Sequence, residues 1–276
     1  MSIIEAIVLG IIQGLSEFIP ISSTAHLTIA GQLMNLIDPA HPERWTSFIA
    51  IIQLGTLASV GIYFRNEIVA LPKAFIMENI IKKNKFSLQS YDSKLSWYIA
   101  IGTLPIVIIG LLFKDFIEGS FTKDLLTIAI SLIVLAVILF FAEMVATLKK
   151  DIKSLKLSDS IIIGLAQSVA LIPGSSRSGT TITAGLFLGL NRESAAKFSF
   201  LLSIPAVFAS GLLSAYQAIK YVNSSDVLNI IVATAVSGIS GYFAIAFLIN
   251  YLKKHNTYLF IVYRIILGIL ILLFLI

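Results

Sequence analysis

Six stretches of about twenty residues each are almost wholly apolar, at 46–64, 95–113, 125–142, 198–219, 227–252 and 257–276. The first five contain no charged residue, and the sixth contains only Arg264. About 20 apolar residues in a helix cross the hydrocarbon of a bilayer. A backbone surrounded by lipid must satisfy its own N–H and C=O groups, so each stretch is predicted to be a helix. With 57% hydrophobic and only 13% charged residues, the 276-residue chain has too few polar side chains to cover a soluble core of its size.

Two further apolar regions, 3–36 and 160–191, are each long enough for two short helices and are broken midway. The first break is Pro20-Ile21-Ser22-Ser23-Thr24, and the second is Pro173-Gly174-Ser175-Ser176-Arg177-Ser178-Gly179. Proline disfavours helix at the residue before it, and glycine loosens the backbone. Each region therefore reads as a helix, a break and a second helix, a hairpin that enters the membrane and returns on the same side. Residues 1–147 and 158–276 then share one order of elements, a broken hairpin followed by three spans. Aligning Pro20 with Pro173 puts Ser22 and Ser23 on Ser175 and Ser176, and Phe48 and Phe198 open the first span of each half. Because three spans is an odd number, the second half must lie inverted with respect to the first. The expected fold is an all-α polytopic membrane protein, a single membrane domain of six transmembrane helices plus two re-entrant hairpins in an inverted repeat. Such repeats place their sites near the midplane, where broken helices meet.

Loop charges agree with this alternation. The loop at 65–94 carries Arg65, Lys73, Lys82, Lys83, Lys85 and Lys94 against three acids, and the loop at 148–159 carries Lys149, Lys150, Lys153 and Lys156 against two. Lys253 and Lys254 lie in a third short loop. All three are expected on the cytoplasmic side, and the nearly neutral loops at 36–45, 114–124 and 220–226 on the other. The net charge of +5 is accounted for by these loops, so nucleic acid is not an expected partner. The absence of cysteine excludes disulfides, thiolate catalysis and sulfur-ligated metals. The N-terminus carries Glu5 and Glu17 and has no basic leader, so it is read as part of the mature fold.

Polar groups at membrane depth are costly and mark function. The first hairpin holds Gln13 and Glu17 on one helix face, then Ser22, Ser23, Thr24 and His26, with Ser23 and His26 one turn apart. The second holds Ser175, Ser176, Arg177, Ser178, Thr180 and Thr181. Arginine offers phosphate a planar fork of donors, and the N–H groups of a helix start cradle an anion. A glutamate can hold Mg²⁺ or Ca²⁺ through oxygen, histidine can carry a proton, and Ser23 can act as nucleophile with His26 or Glu17 as base. Other readings stand beside these. Ser22 and Ser175 equally suit helix caps, Thr180 and Thr181 suit packing, and Gln53 suits either packing or a cavity wall. Arg264 is expected to snorkel towards the cytoplasm or to pair with another span, and His41 and His255 to be bystanders.

QGLSEFIPISSTAHL at 13–27 and PGSSRSGTT at 173–181, with IIQLGTLASV at 51–60, resemble the signatures of undecaprenyl-diphosphate phosphatases of the bacitracin-resistance (BacA/UppP) type. The resemblance covers essentially the whole chain. It implies an enzyme of the bacterial plasma membrane that hydrolyses undecaprenyl diphosphate to the monophosphate and phosphate. That reaction recycles the carrier for peptidoglycan synthesis and lowers bacitracin sensitivity. It further implies a divalent cation, Mg²⁺ or Ca²⁺, held by Glu17 and Gln13, and catalytic roles for Glu17, Ser23, His26 and Arg177. Gly174, Ser175, Ser176, Arg177, Ser178 and Thr181 are expected to bind phosphate. Many members have glutamate in place of Gln13, which supplies only a neutral oxygen, and Ala25 replaces a common glycine. Implied partners are the polyprenyl diphosphate, the bilayer, bacitracin as a competitor for that lipid, and a second copy in a homodimer. The alternative is a secondary transporter or flippase of an anionic lipid or small anion. A phosphatidate-phosphatase type is excluded, because after Ser176-Arg177 the only histidine is His255, in a distant loop.

Overall fold

The structure, a computed structural model, describes residues 1–218 and 224–275. In chain order the helices are α1 Ile3–Phe18, α2 Ser23–Leu33, α3 Pro42–Tyr63, α4 Arg65–Phe75, α5 Tyr91–Leu112, α6 Lys114–Glu118, α7 Leu125–Val145, α8 Leu157–Ser168, α9 Arg177–Phe187, α10 Arg192–Ala218, α11 Ser224–Leu252 and α12 Tyr258–Phe274. The chain is thus all-α and polytopic. Among the described residues α3, α5, α7, α10 and α11 are long and apolar enough to cross a membrane. The sixth expected span is α12, whose 17 residues rise roughly 25 Å, slightly less than a full crossing. Lipid is the solvent of the outer faces: α7, for example, turns Ile130, Val134 and Phe141 outward.

Four spans, α3, α5, α10 and α11, begin earlier than their apolar runs suggest. α10 starts at Arg192 because Glu143 of α7 neutralises that guanidinium. α5 starts at Tyr91, where the Ser90 hydroxyl accepts the Ser93 N–H. The expected loop at 65–94 is largely helical. α4 continues through a π-helical turn at Ile76–Ile81, and Asn79 Oδ1 accepts from both Gln89 Nε2 and Trp97 Nε1. Most of the expected loop at 220–226 lies outside the described residues.

Both broken regions are helix–turn–helix hairpins, α1 with α2 and α8 with α9. Their apices match closely, in a register one residue away from the proline alignment. Ser22 (φ 75°, ψ 98°) and Ser176 (φ 67°, ψ 107°) are the equivalent N-caps, and their hydroxyls accept from the N–H groups of Ala25 and Gly179. The far ends match too. Asn35 and Gly189 both have positive φ, while Leu36 N–H donates to Gly31 O and Leu190 N–H to Gly185 O. The second hairpin has one more residue between its proline and its cap, and that shifts the alignment.

The basic loops are gathered at one end of the molecule by the start of α10. Lys197 pairs with Glu67, the Ser194 hydroxyl accepts the Ile152 N–H, and Glu193 faces Lys253. At the other end Lys123 donates to Thr46, which links the two neutral loops. Asn229, near the start of α11, donates to Met1 O, so α1 begins at the neutral end while α8 begins at the basic end. α1 packs along α11, and α8 along α5. Glycines make both approaches close. A Cβ on Gly164 would lie 2.1 Å from Gly102 O. Gly164→Ala must therefore push α8 off α5, and it is expected to lower stability by about 1–3 kcal/mol. A thermal melt in detergent would show this, and an unchanged midpoint would contradict it.

Candidate active site

The hairpin apices meet in the middle of the bundle. α1 ends on Phe18, one residue past Glu17, so that carboxylate sits where the chain turns towards α2. Phe18 is anchored edge-on against Phe200 of α10, with ring centroids 5.1 Å apart. Glu17 is buried and accepts three hydrogen bonds. Gln13 Nε2 donates to Oε2 at 3.0 Å, Ser23 Oγ to Oε2 at 2.7 Å, and Arg177 Nη2 to Oε1 at 3.1 Å. Arg177 is the first residue of α9, and its Nη1 also donates to Ser199 O. The two hairpin apices are thus joined by an ion pair whose side chains are 12% and 5% exposed.

A cavity of about 370 Å³ opens beside this pair. Glu17, Ser22, Ser23 and Thr24 line it from the first hairpin, and Gly174, Ser176 and Arg177 from the second. Both starts of α2 and α9 therefore face the space with the positive ends of their helix dipoles. Towards the neutral end the wall includes Trp45, Thr46, Lys114 and Lys123. The remaining wall is largely apolar, from α3, α5 and α10 (Ile49, Ile106, Leu111 and Val207 among others). Three basic side chains and one acid make the chamber suit an anion with an apolar tail. Nothing in the sequence marks Lys114 and Lys123, because a short, nearly neutral loop gives no sign that it folds over a cavity. Gln53 proves to be a wall residue.

Several expected site residues point elsewhere. His26 does not line the cavity. Its Nδ1 is 2.7 Å from Ser22 O, which can only accept, so this nitrogen donates. Its Nε2 is 2.6 Å from the Tyr263 hydroxyl, and the two rings stack. The group hydrogen-bonded to Ser23 Oγ is Glu17, whereas His26 bonds Ser22 O and Tyr263. Ser175 donates to Ile172 O and caps nothing, since the cap is Ser176. Ser178 bonds Ser176 Oγ and reaches Ile19 O, tying one hairpin to the other. Thr181 bonds Arg177 O and the Ser199 hydroxyl. Of α9 only Arg177, with the N-cap Ser176, lines the cavity. Arg264 does not snorkel but reaches another span, at Ser131 O of α7. It is fully buried and reaches the carbonyls of Gly174 and Ser175.

Oxygen donors for a hard cation are sparse but present. Glu17 supplies the one carboxylate, and the buried Gln13 Oε1 has no hydrogen-bond partner. Among the described residues no three acids or histidines cluster as metal ligands.

Residues 6–270 match the family described as bacitracin resistance protein BacA. The chain belongs to this family. Among curated BacA-like relatives, one from Syntrophobacter fumaroxidans is 52% identical over 268 residues, covering 97% of this chain and 95% of its own length. Another, from Chloroherpeton thalassium, is 52% identical over 285 residues, covering 99% and 96%. A third, from Chlorobium phaeobacteroides, is 51% identical over 278 residues, covering 98% and 95%. All three are named undecaprenyl-diphosphatase. With its apolar helices, membership of the BacA family makes this a multi-pass protein of the bacterial cell membrane.

Proposed function

We propose that the protein hydrolyses undecaprenyl diphosphate to undecaprenyl phosphate and inorganic phosphate, so returning the lipid carrier to peptidoglycan synthesis. One observation carries the reading: a hydroxyl, Ser23 Oγ, lies 2.7 Å from a buried carboxylate that an arginine holds from its other oxygen. A protein that only moved an anion would need the arginine but not the hydroxyl–carboxylate pair. The relatives named as diphosphatases also favour hydrolysis over transport. Bacitracin competes for the same lipid on this reading.

The chemistry follows from the positions. The terminal phosphate enters between the starts of α2 and α9, with Arg177 and the Ser176 region as its donors, while the prenyl tail follows the apolar wall. Ser23 Oγ attacks the terminal phosphorus and gives its proton to Glu17 Oε2. The anhydride P–O bond breaks, Glu17 passes that proton to the departing phosphate oxygen, and the lipid leaves as the monophosphate. Glu17, again a carboxylate, then takes a proton from the water that attacks the phosphoserine and gives it to the departing Ser23 Oγ, which releases phosphate and restores the serine. His26 acts through Ser22, whose carbonyl it fixes at the turn. Glu17, Gln13 Oε1 and Ser23 Oγ would hold Mg²⁺ or Ca²⁺. One carboxylate is enough when the substrate's own phosphates complete the shell, as is usual for Mg²⁺. When bound, the ion would offset negative charge on the phosphates. The cavity lining reaches Trp45, Thr46, Lys114 and Lys123 at the neutral end, which supports a site that opens outward. Matching apices, and hairpins that start at opposite ends, support reading 1–147 and 158–276 as an inverted repeat.

Purified protein in detergent, given a short-chain prenyl diphosphate, should release phosphate. A chelator should lower the rate, and added Mg²⁺ or Ca²⁺ should restore it. Binding of the diphosphate with no release under any metal condition would leave only the transporter reading.

A further inference from the structure

Among the described residues Arg264 is the largest fully buried side chain, and no carboxylate there pairs with it. Its Nε and Nη1 have no hydrogen-bond partner. Leaving a buried guanidinium without a counter-charge is expensive, and a chain that needed only to pack α12 against α7 would use an apolar residue there. Its one engaged nitrogen, Nη2, meets three carbonyls: Ser175 O at 3.0 Å, Gly174 O at 3.3 Å and Ser131 O at 3.5 Å. The first two belong to the turn that leads into α9. That turn is also clamped from the α7 side, where a Cβ on Gly174 (φ 85°) would lie 2.5 Å from Ile128 O.

In a trans peptide the C=O and the next N–H point in opposite directions. A Ser175 carbonyl drawn back to Arg264 therefore turns the Ser176 N–H forward. Ser176 lines the cavity, and among the described residues its N–H has no acceptor in the protein. We propose that Arg264 is a positioning residue for phosphate binding: it holds the Gly174–Ser175 carbonyls away from the cavity so that the Ser176 amide faces the substrate. The anionic phosphate is then the missing counter-charge, sensed across one turn of backbone. Arg264 touches no substrate itself, and this role rests on the site assignment above.

The test separates anion binding from stability. Arg264→Met is expected to raise both KM for a short-chain prenyl diphosphate and Ki for inorganic phosphate by about tenfold, with a smaller change in kcat, in line with the loss of charge-assisted bonding. Arg264→Lys keeps the charge and should recover most of the loss. A purely structural role would lower the melting temperature and leave KM and Ki of the folded protein within about twofold of the parent, and that result overturns the proposal. If the Met variant does not fold, Gly179→Ala decides. Its Cβ would sit 2.7 Å from Arg264 Nη1 and displace the guanidinium without removing its charge. The same rise in KM and Ki supports the role, and unchanged values overturn it. Arg177→Ala is run in parallel. Full activity there would sink the site assignment itself, whereas a dead Arg177→Ala beside a normal Arg264→Met would sink this inference alone.

Discussion

Ser23→Ala should reduce phosphate release by roughly 10³-fold or more, the scale on which removing a nucleophile acts. Among the described residues Ser23 is the only hydroxyl hydrogen-bonded to Glu17, so no neighbour inherits its place. The fold should tolerate the change. Glu17 keeps Gln13 Nε2 and Arg177 Nη2, and one lost hydrogen bond costs about 1 kcal/mol. Acid quenching of the parent protein on a prenyl diphosphate labelled in its terminal phosphate should trap label on the chain, and the alanine variant should trap none. His26→Ala should cost less, about 10–100-fold, because the ring acts through the Ser22 carbonyl and not on the reacting atoms. An alanine variant at Ser23 that retains a tenth of the parent rate would instead assign the attack to water.

The apolar runs reveal the helices because lipid leaves the backbone no alternative. They do not reveal where the helices start. Arg192 looks like the end of a loop until its partner, Glu143, is known to lie 49 positions earlier on α7. The pairing of Glu17 with Arg177 is legible as chemistry from residue types alone, though not as a contact, since 160 residues separate them. Proline proves a poor marker of the register between the two hairpins. The geometry instead repeats at the strained serine caps, which only backbone angles distinguish from their neighbours. His26 shows the limit of spacing arguments. Three residues beyond Ser23 it can share a helix face, yet the carbonyl of Ser22 and the hydroxyl of Tyr263 on α12 satisfy both ring nitrogens on another side. Arg264 leaves two readings open for a related reason. A snorkelling arginine and a buried one look alike in sequence, and only the packing of α12 against α7 decides between them.

Arg177→Ala should have two separable effects. It removes the phosphate fork, and arginines that stabilise a transferring phosphoryl group are worth about 10³–10⁵ in rate. It also strands Glu17, whose side chain is 5% exposed, without its cation, and breaking a buried pair from one side costs about 3–5 kcal/mol. Loss of activity alone would therefore not distinguish a binding arginine from a structural one. The double variant Arg177→Met with Glu17→Gln makes the distinction, since removing both charges should return most of the lost stability. The amide that replaces the carboxylate can still accept from Ser23 and meet Gln13, yet neither the phosphate fork nor the base exists. Melting temperature in detergent should fall in the single variant and recover in the double one, while phosphate release stays at background in both. Recovery of turnover together with stability would make the ion pair a strut between the two hairpins and move the chemistry to other residues.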